Sequence, residues 1–178
     1  MIRYQNRNLL IDSFQKNLIV AEIGVFKGDF SKIMLDLMQP KELHLIDIFE
    51  GMMCSGDKDG NNVVWINLNH ELEILKKHFS ENENVFIHKG KSEEVMLGFS
   101  DDYFDVVYID GDHSYEGVKR DLEVAYKKIK TGGFICGHDY GLKFISVMNA
   151  VNEFCAAKKL KIDFLTNDGC PSFGIKKI

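Results

Sequence analysis

The chain has 178 residues, is 45% hydrophobic and 28% charged, and carries a net charge of −5 with a pI of 5.7. This is the length of one domain with enough apolar residues for a core, which excludes intrinsic disorder. No apolar run approaches the roughly 18 residues of a membrane span, and the acidic balance argues against a dedicated nucleic-acid binder.

The opening MIRYQNRNLLIDSFQKN lacks the apolar core of a signal peptide. Residues 1–17 are expected to form a helical extension ahead of a single domain over 18–178. Leu18–Ile23 is a continuous apolar run and predicts a buried strand. Phe30, Ile33, Met34 and Leu37 follow at helical spacing, opened by Asp29 or Ser31 and stopped near Pro40. Glu42–Ile48 predicts a second strand. Phe49–Asn62, with Gly51, Gly56 and Gly60 among Ser, Asp and Asn, predicts a loop. Its Asp57-Lys-Asp59-Gly-Asn61 begins like a calcium loop, but Asn62 and Leu68 stand where Gly and Glu are required. Trp65, Leu68, Leu72, Leu75 and Phe79 make a long helical stripe. Asn84–His88 predicts a third strand, Lys91–Leu97 a short helix and Tyr103–Asp110 a fourth strand. Val118, Leu122, Ala125 and Ile129 predict a helix ended by Gly132-Gly133. Phe134–Gly137 predicts a fifth strand, and Phe144 to Phe154 a last helix. Ile162–Leu165 and Ser172–Lys176 close the chain.

Alternating strands and helices predict βαβ units, a doubly wound α/β sheet with helices on both faces. The last two strands are too close in sequence for a crossover, so they must pair antiparallel. Cys54, Cys136, Cys155 and Cys170 are scattered and fit neither a zinc site nor a disulfide framework. Free thiols in a reducing cytoplasm are expected. Lys127, Lys128, Lys130, Lys158, Lys159 and Lys161 are expected to be solvated helix ends that complement the dipole. Met52-Met53 would line a substrate pocket or pack under their loop.

Ligands of open α/β sheets bind at the carboxyl ends of the strands. The first strand ends there in Glu22-Ile-Gly24-Val-Phe-Lys-Gly28. Glu22 takes the place of the first Gly of a G-x-G-x-x-G dinucleotide pattern, which argues against a pyrophosphate and against an NAD-linked oxidoreductase. It suits a ligand with positive or hydrogen-bond-donating groups. The plainer alternative is that Gly24 and Gly28 merely permit a tight turn. Asp47, at the end of the second strand, can accept the two hydroxyls of an adenosine ribose, or else cap a helix. Ser92 in His88-Lys-Gly90-Lys-Ser92 could meet an adenine edge, or cap the next helix. The densest region is Val107-Tyr-Ile-Asp110-Gly-Asp112-His113-Ser-Tyr115, followed by Gly137-His138-Asp139-Tyr140. Neighbouring strands would bring Asp110, His113, His138 and Asp139 to one rim. Carboxylates with an imidazole suit a divalent cation, Mg²⁺ best, and a histidine there suits general-base work. The alternative is that Asp112 and Ser114 cap a helix and His113 bonds locally.

EIGVFKGDFS, LIDIFEGM, VYIDGDHSYEGVKRDLEVAYKKIKTGGFICGHDY and the closing hairpin together resemble class I S-adenosylmethionine-dependent methyltransferases. The likeness is to the methyltransferase-24 group, which is similar to metal-dependent macrolide-sugar O-methyltransferases and cephalosporin-biosynthesis methyltransferase-like proteins. It covers about residues 18–178. The resemblance implies a Rossmann-like seven-stranded sheet in the order 3-2-1-4-5-7-6, with the last strand antiparallel. It implies S-adenosylmethionine as cofactor. Glu22, Gly24, Val25, Phe26 and Gly28 would hold its methionine and ribose end, Asp47 the ribose, Ile48, Phe49 and Ser92 the adenine, and Asp110 the methionine part. Asp110, His138 and Asp139 would hold Mg²⁺ or another divalent cation, with His113 as general base. His138 stands where the macrolide-sugar enzymes carry an acidic residue.

The expected reaction is O-methylation of a small molecule or saccharide. A non-catalytic S-adenosylmethionine-binding accessory protein, or a methyltransferase with an N or carboxyl acceptor, stays open. With no room for a substrate domain, acceptor choice is expected to fall to residues 1–17, the 50–62 segment and the segments after Asp112 and Asp139, or to the second subunit of a homo-oligomer.

Overall fold

The computed structural model describes the backbone of residues 1–55 and 62–178 and the side chains of residues 1–50 and 68–178. The calcium-like stretch at 57–61 and the side chains of Met52, Met53 and Cys54 lie outside the described residues. The elements in chain order are β1 (Ile2–Tyr4), α1 (Arg7–Asp12), β2 (Ile19–Ile23), α2 (Asp29–Met38), β3 (Glu42–Asp47), β4 (Glu50–Ser55), β5 (Asn62–Asn67), α3 (Asn69–His78), β6 (Val85–Lys89), α4 (Ser92–Leu97), β7 (Phe104–Ile109), α5 (Tyr115–Lys128), β8 (Ile129–Gly137), α6 (Ile145–Lys158), β9 (Ile162–Thr166) and β10 (Phe173–Lys176).

One sheet runs β1-β9-β10-β8-β7-β2-β3-β6. Seven of its strands follow the expected order, and β10 lies antiparallel to both β8 and β9. The eighth is β1, which adds an edge by pairing parallel with β9, Ile2 opposite Phe164. The expected N-terminal helix is α1, and it is built into the fold: Leu10 and Ile11 are fully buried.

Alternation along the strands sorts the core into two layers. Val20, Leu43, Leu45, Val106 and Tyr108 face α2 and α3. Ala21, Ile23, Ile46, Val107 and Ile109 face α5 and α6. Each large apolar side chain buried this way contributes about 1.5–3 kcal/mol. Glu22 has the parity of Val20, so it points into the layer beneath α1 and α2. That parity decides much of the site's chemistry.

The structure corrects several expectations. Glu50–Ser55 and Asn62–Asn67 form an antiparallel hairpin, β4–β5, where a loop was expected. Helix α3 starts only at Asn69, so Trp65 belongs to β5 and the helical spacing from it was coincidental. Gly132-Gly133 does not stop a helix: α5 ends at Lys128 and the glycines lie inside the longer β8. There a Cβ on Gly133 would meet the Asp105 carbonyl at 2.7 Å. Lys128 is not a solvated helix end but buried, donating to the Phe99 carbonyl (2.9 Å) and to Asp101 (2.7 Å). Among the described residues Cys136, Cys155 and Cys170 are free thiols, and no helix is long and apolar enough to cross a membrane.

Candidate active site

The site lies at the carboxyl ends of β2, β3, β7 and β8. Gly24 follows β2 with φ +89°, and its N–H donates to the Ile46 carbonyl at 2.9 Å. A Cβ on Gly24 would fall 2.2 Å from the Asp110 carbonyl oxygen. Only glycine lets the β2 and β7 ends approach so closely. Gly28 (φ +75°) caps α2, and a Cβ there would meet Leu75 Cδ1 at 2.1 Å. The two glycines therefore do more than permit a turn: they seat the loop against β7 on one side and α3 on the other.

Asp47 ties that loop to β3. Its Oδ2 accepts the N–H groups of Val25 (2.7 Å) and Phe26 (2.8 Å), and its Oδ1 accepts the Phe49 N–H (2.7 Å). A carboxylate has about four lone-pair positions, so these bonds leave little acceptor capacity for ribose hydroxyls. Neighbouring Ile48 and Phe26 are exposed on the rim, whereas Phe49 is fully buried in the core. Ser92 is the first residue of α4, not its cap, and its hydroxyl donates to buried Asp121. Burial raises Asp121 to about 6.

Glu22 is 1% exposed and accepts a hydrogen bond from Ser31 of α2. Burial is the main cause that pushes its carboxyl up to about 8, against the opposing pull of Ser31 and Arg7. Arg7, the first residue of α1, sends Nη1 to 3.3 Å from Asp110 Oδ2 and lays its guanidinium over the Phe30 ring, 4.1 Å from the centroid. No sequence motif marks Arg7. Its place depends on α1 docking, and Asp168 fixes the helix start by accepting the Arg7 N–H at 3.4 Å.

The β7 and β8 ends gather the expected cluster. His113 Nε2 lies 2.8 Å from Asp139 Oδ2 and 3.6 Å from Asp110 Oδ1. His138 Nδ1 lies 3.2 Å from Asp139 Oδ1 and 3.7 Å from Asp110 Oδ1. The facing Asp110 and then Asp139 carboxylates push His113 up to about 9, against burial. Burial works to raise Asp139, but the two imidazoles outweigh it and hold the carboxyl well below the usual range. Asp139 is buried at φ +61°, a left-handed conformation that Asp adopts more readily than most non-glycine residues. Asp112 and Ser114 take the plainer role. Ser114 caps α5 by accepting the Gly117 N–H at 3.1 Å, and Asp112 accepts the Ser114 N–H at 2.8 Å.

Asp110, His113 and Asp139 offer ligand atoms within 4.8 Å of one another, close enough to share one metal ion. The buried His113 Nε2 has no hydrogen-bond partner of acceptable geometry despite its close carboxylates. Two hard carboxylates with an orphaned imidazole nitrogen fit a divalent cation. The tightest group thus contains His113, where His138 was the expected ligand. Beside Asp139 opens a cavity of about 470 Å³ with walls that include Tyr140, Leu142, Phe144, Met148, Cys170 and Pro171.

A family model described as a methyltransferase domain matches residues 21–140, from β2 to the end of the Asp139 segment. Uncharacterized protein R132 of Acanthamoeba polyphaga mimivirus is 31% identical over 153 residues, 83% of this chain. The chain spans 64% of that viral protein's length. The O-methyltransferase NovP shares the fold at TM-score 0.70 and 19% identity, over 96% of this chain and 79% of that one. A precorrin-6y C5,15-methyltransferase from Geobacter metallireducens GS-15 does so at TM-score 0.66 and 14% identity, over 96% and 86% of the two chains. With the glycine loop, the rim carboxylates and the antiparallel last strand in place, the chain belongs to the class I S-adenosylmethionine-dependent methyltransferases, in the methyltransferase-24 group.

Proposed function

We propose that the chain methylates a hydroxyl of a small molecule or saccharide, with help from a divalent cation. The observation that carries this is the Asp110–His113–Asp139 group with its orphaned imidazole nitrogen, set beside the cavity under Tyr140 and Met148. A hydroxyl is a poor nucleophile until it loses a proton, and this rim offers groups that can hold a cation and accept that proton.

S-adenosylmethionine supplies an already activated methyl group, so the residues mainly align and desolvate. The Gly24–Gly28 loop and Glu22 receive the methionine end, Asp47 fixes the loop, and Ile48 and Phe26 flank the adenosine. Asp110 and Asp139 would hold the cation, which when bound supplies charge that lowers the acceptor's pKa. The cavity beside Asp139 receives the acceptor body. His113 takes the acceptor proton. A cation held by Asp110 and Asp139 would offset the two carboxylates that favour its protonated state, leaving His113 able to accept a proton.

The grouping of His113 with both carboxylates favours a second reading, in which His113 is itself a ligand and His138 is the nearby base. Mn²⁺ titration of His113→Ala separates them: cation affinity within about threefold of wild type supports the base, and its loss supports the ligand. The reaction is tested with methyl-labelled S-adenosylmethionine, Mg²⁺ and a panel of phenols, monosaccharides, amines and carboxylic acids. Hydroxyl methylation that EDTA stops is expected. Labelling confined to amines or acids would overturn the hydroxyl assignment, and undiminished turnover in EDTA would overturn the cation's role.

A further inference from the structure

The methionine end of the cofactor is a zwitterion, and the residues expected around it are unbalanced. Asp110 presents a carboxylate, which suits the ammonium and repels the α-carboxylate, and the buried acid Glu22 supplies no positive charge. Resting on the S-adenosylmethionine reading, we infer that Arg7 is the cofactor's carboxylate-binding residue, and that α1 is a working wall of the cofactor site.

Four observations converge on Arg7. Its Nη1 meets Asp110 Oδ2 at 3.3 Å, on the rim where the methionine end is expected. Among the described residues, that 3.3 Å contact is the guanidinium's single hydrogen bond. Most of the five N–H donors of the planar fork stay available for a bidentate carboxylate. The Phe30 ring supports the guanidinium from one side at 4.1 Å, fixing its plane. Finally, the residue is held from behind. Asn6 caps α1 through the Leu9 N–H (3.0 Å), Asp168 accepts the Arg7 N–H, and β1 is paired into the sheet. This is a built position, unlike that of Lys27 on the glycine loop, whose ammonium lies over the Phe26 ring at 5.4 Å. When the ligand binds, the guanidinium exchanges its long contact to Asp110 Oδ2 for the α-carboxylate, and that oxygen is freed for the ammonium while Oδ1 stays with the His113–Asp139 group.

The test uses calorimetric titration of wild type, Arg7→Met and Arg7→Lys with S-adenosylhomocysteine and with its decarboxylated analogue, S-adenosyl-3-thiopropylamine. Wild type is expected to prefer S-adenosylhomocysteine by about tenfold or more, the scale of a charge-assisted hydrogen bond. In Arg7→Met that preference should fall to within about twofold, because affinity for the first ligand drops while affinity for the analogue holds. Arg7→Lys should keep part of it. Equal affinities in wild type overturn the inference, and so does a preference that survives in Arg7→Met. Equal weakening of both ligands also overturns it, since that marks a purely structural arginine. Should Arg7→Met fail to fold, the wild-type pair and Arg7→Lys still decide. If wild type binds neither ligand, the cofactor reading itself falls, a result distinct from all of these.

Discussion

Glu22→Gln probes the buried acid at the centre of the site. Its carboxyl goes from an ordinary 4.5 to about 8 in the folded chain, chiefly by burial. A raised folded-state value means that the contribution to stability is complete below pH 4.5 and is lost as the pH rises through 8. At about 1.4 kcal/mol for each tenfold change in the protonation constant, the loss is about 1 kcal/mol at pH 5.5 and grows by about 2 kcal/mol up to pH 7 and about 3 up to pH 9. Gln mimics the protonated acid and still accepts from Ser31, so the variant escapes this loss. The melting temperature of Glu22→Gln should therefore gain on wild type as the pH rises from 5.5 to 9. The gap should widen by roughly 6–12 °C, at about 2–4 °C per kcal/mol for a chain this size. His113, raised to about 9, loses stability with the same sign from its ordinary 6.5 upward, but it does so in both proteins and cancels in the difference. Circular dichroism melts of the ligand-free proteins at pH 5.5, 7 and 9 measure it. A gap that stays constant with pH would refute the claim that Glu22 is held protonated by burial.

Two further substitutions test the loop. Gly28→Ala should cost about 2 kcal/mol or more, from a Cβ aimed 2.1 Å from Leu75 Cδ1 and from the left-handed φ; urea melts should show Leu75→Ala recovering part of the clash component in the double variant, and simple additivity would sink the packing argument. Asp47→Asn turns an NH₂ toward at least one of three N–H donors and should lower stability by about 1–3 kcal/mol, with S-adenosylhomocysteine affinity falling at least tenfold by calorimetry; unchanged affinity would mean that Asp47 does not hold the loop in its binding shape.

The sheet was legible because its strands are short apolar runs separated by helical stripes, and hydrophobic periodicity is a local signal. The edges were not. β1 is three residues long and exists because β9 is there to pair with it, which no local pattern announces. The β4–β5 hairpin hid behind glycines and polar residues that also mark loops, and Trp65 happened to continue the spacing of α3. Within the site, Asp110, His113, His138 and Asp139 could be grouped in advance because strand ends converge in this topology. Arg7 could not, since its approach is set by tertiary docking. The orientation of Phe49 and the hydroxyl bond of Ser92 were also beyond periodicity: each is decided by a rotamer and a partner on another element.

The pairing of Ile2 with Phe164 has a consequence for the order in which the protein forms. Strands β2 to β8 pair among themselves, Val20 opposite Val106 at the longest reach, but β1 has no partner until β9 and β10 have turned back onto β8. Contacts of such long sequence separation carry a large loop-closure cost and form late. On a ribosome β1 would be made well before the strands it needs, and Arg7 would reach Asp110 only when the rest of the sheet is complete. Readiness of the site would then report completion of the fold, and a chain that stalls before β9 would present the glycine loop without its cation.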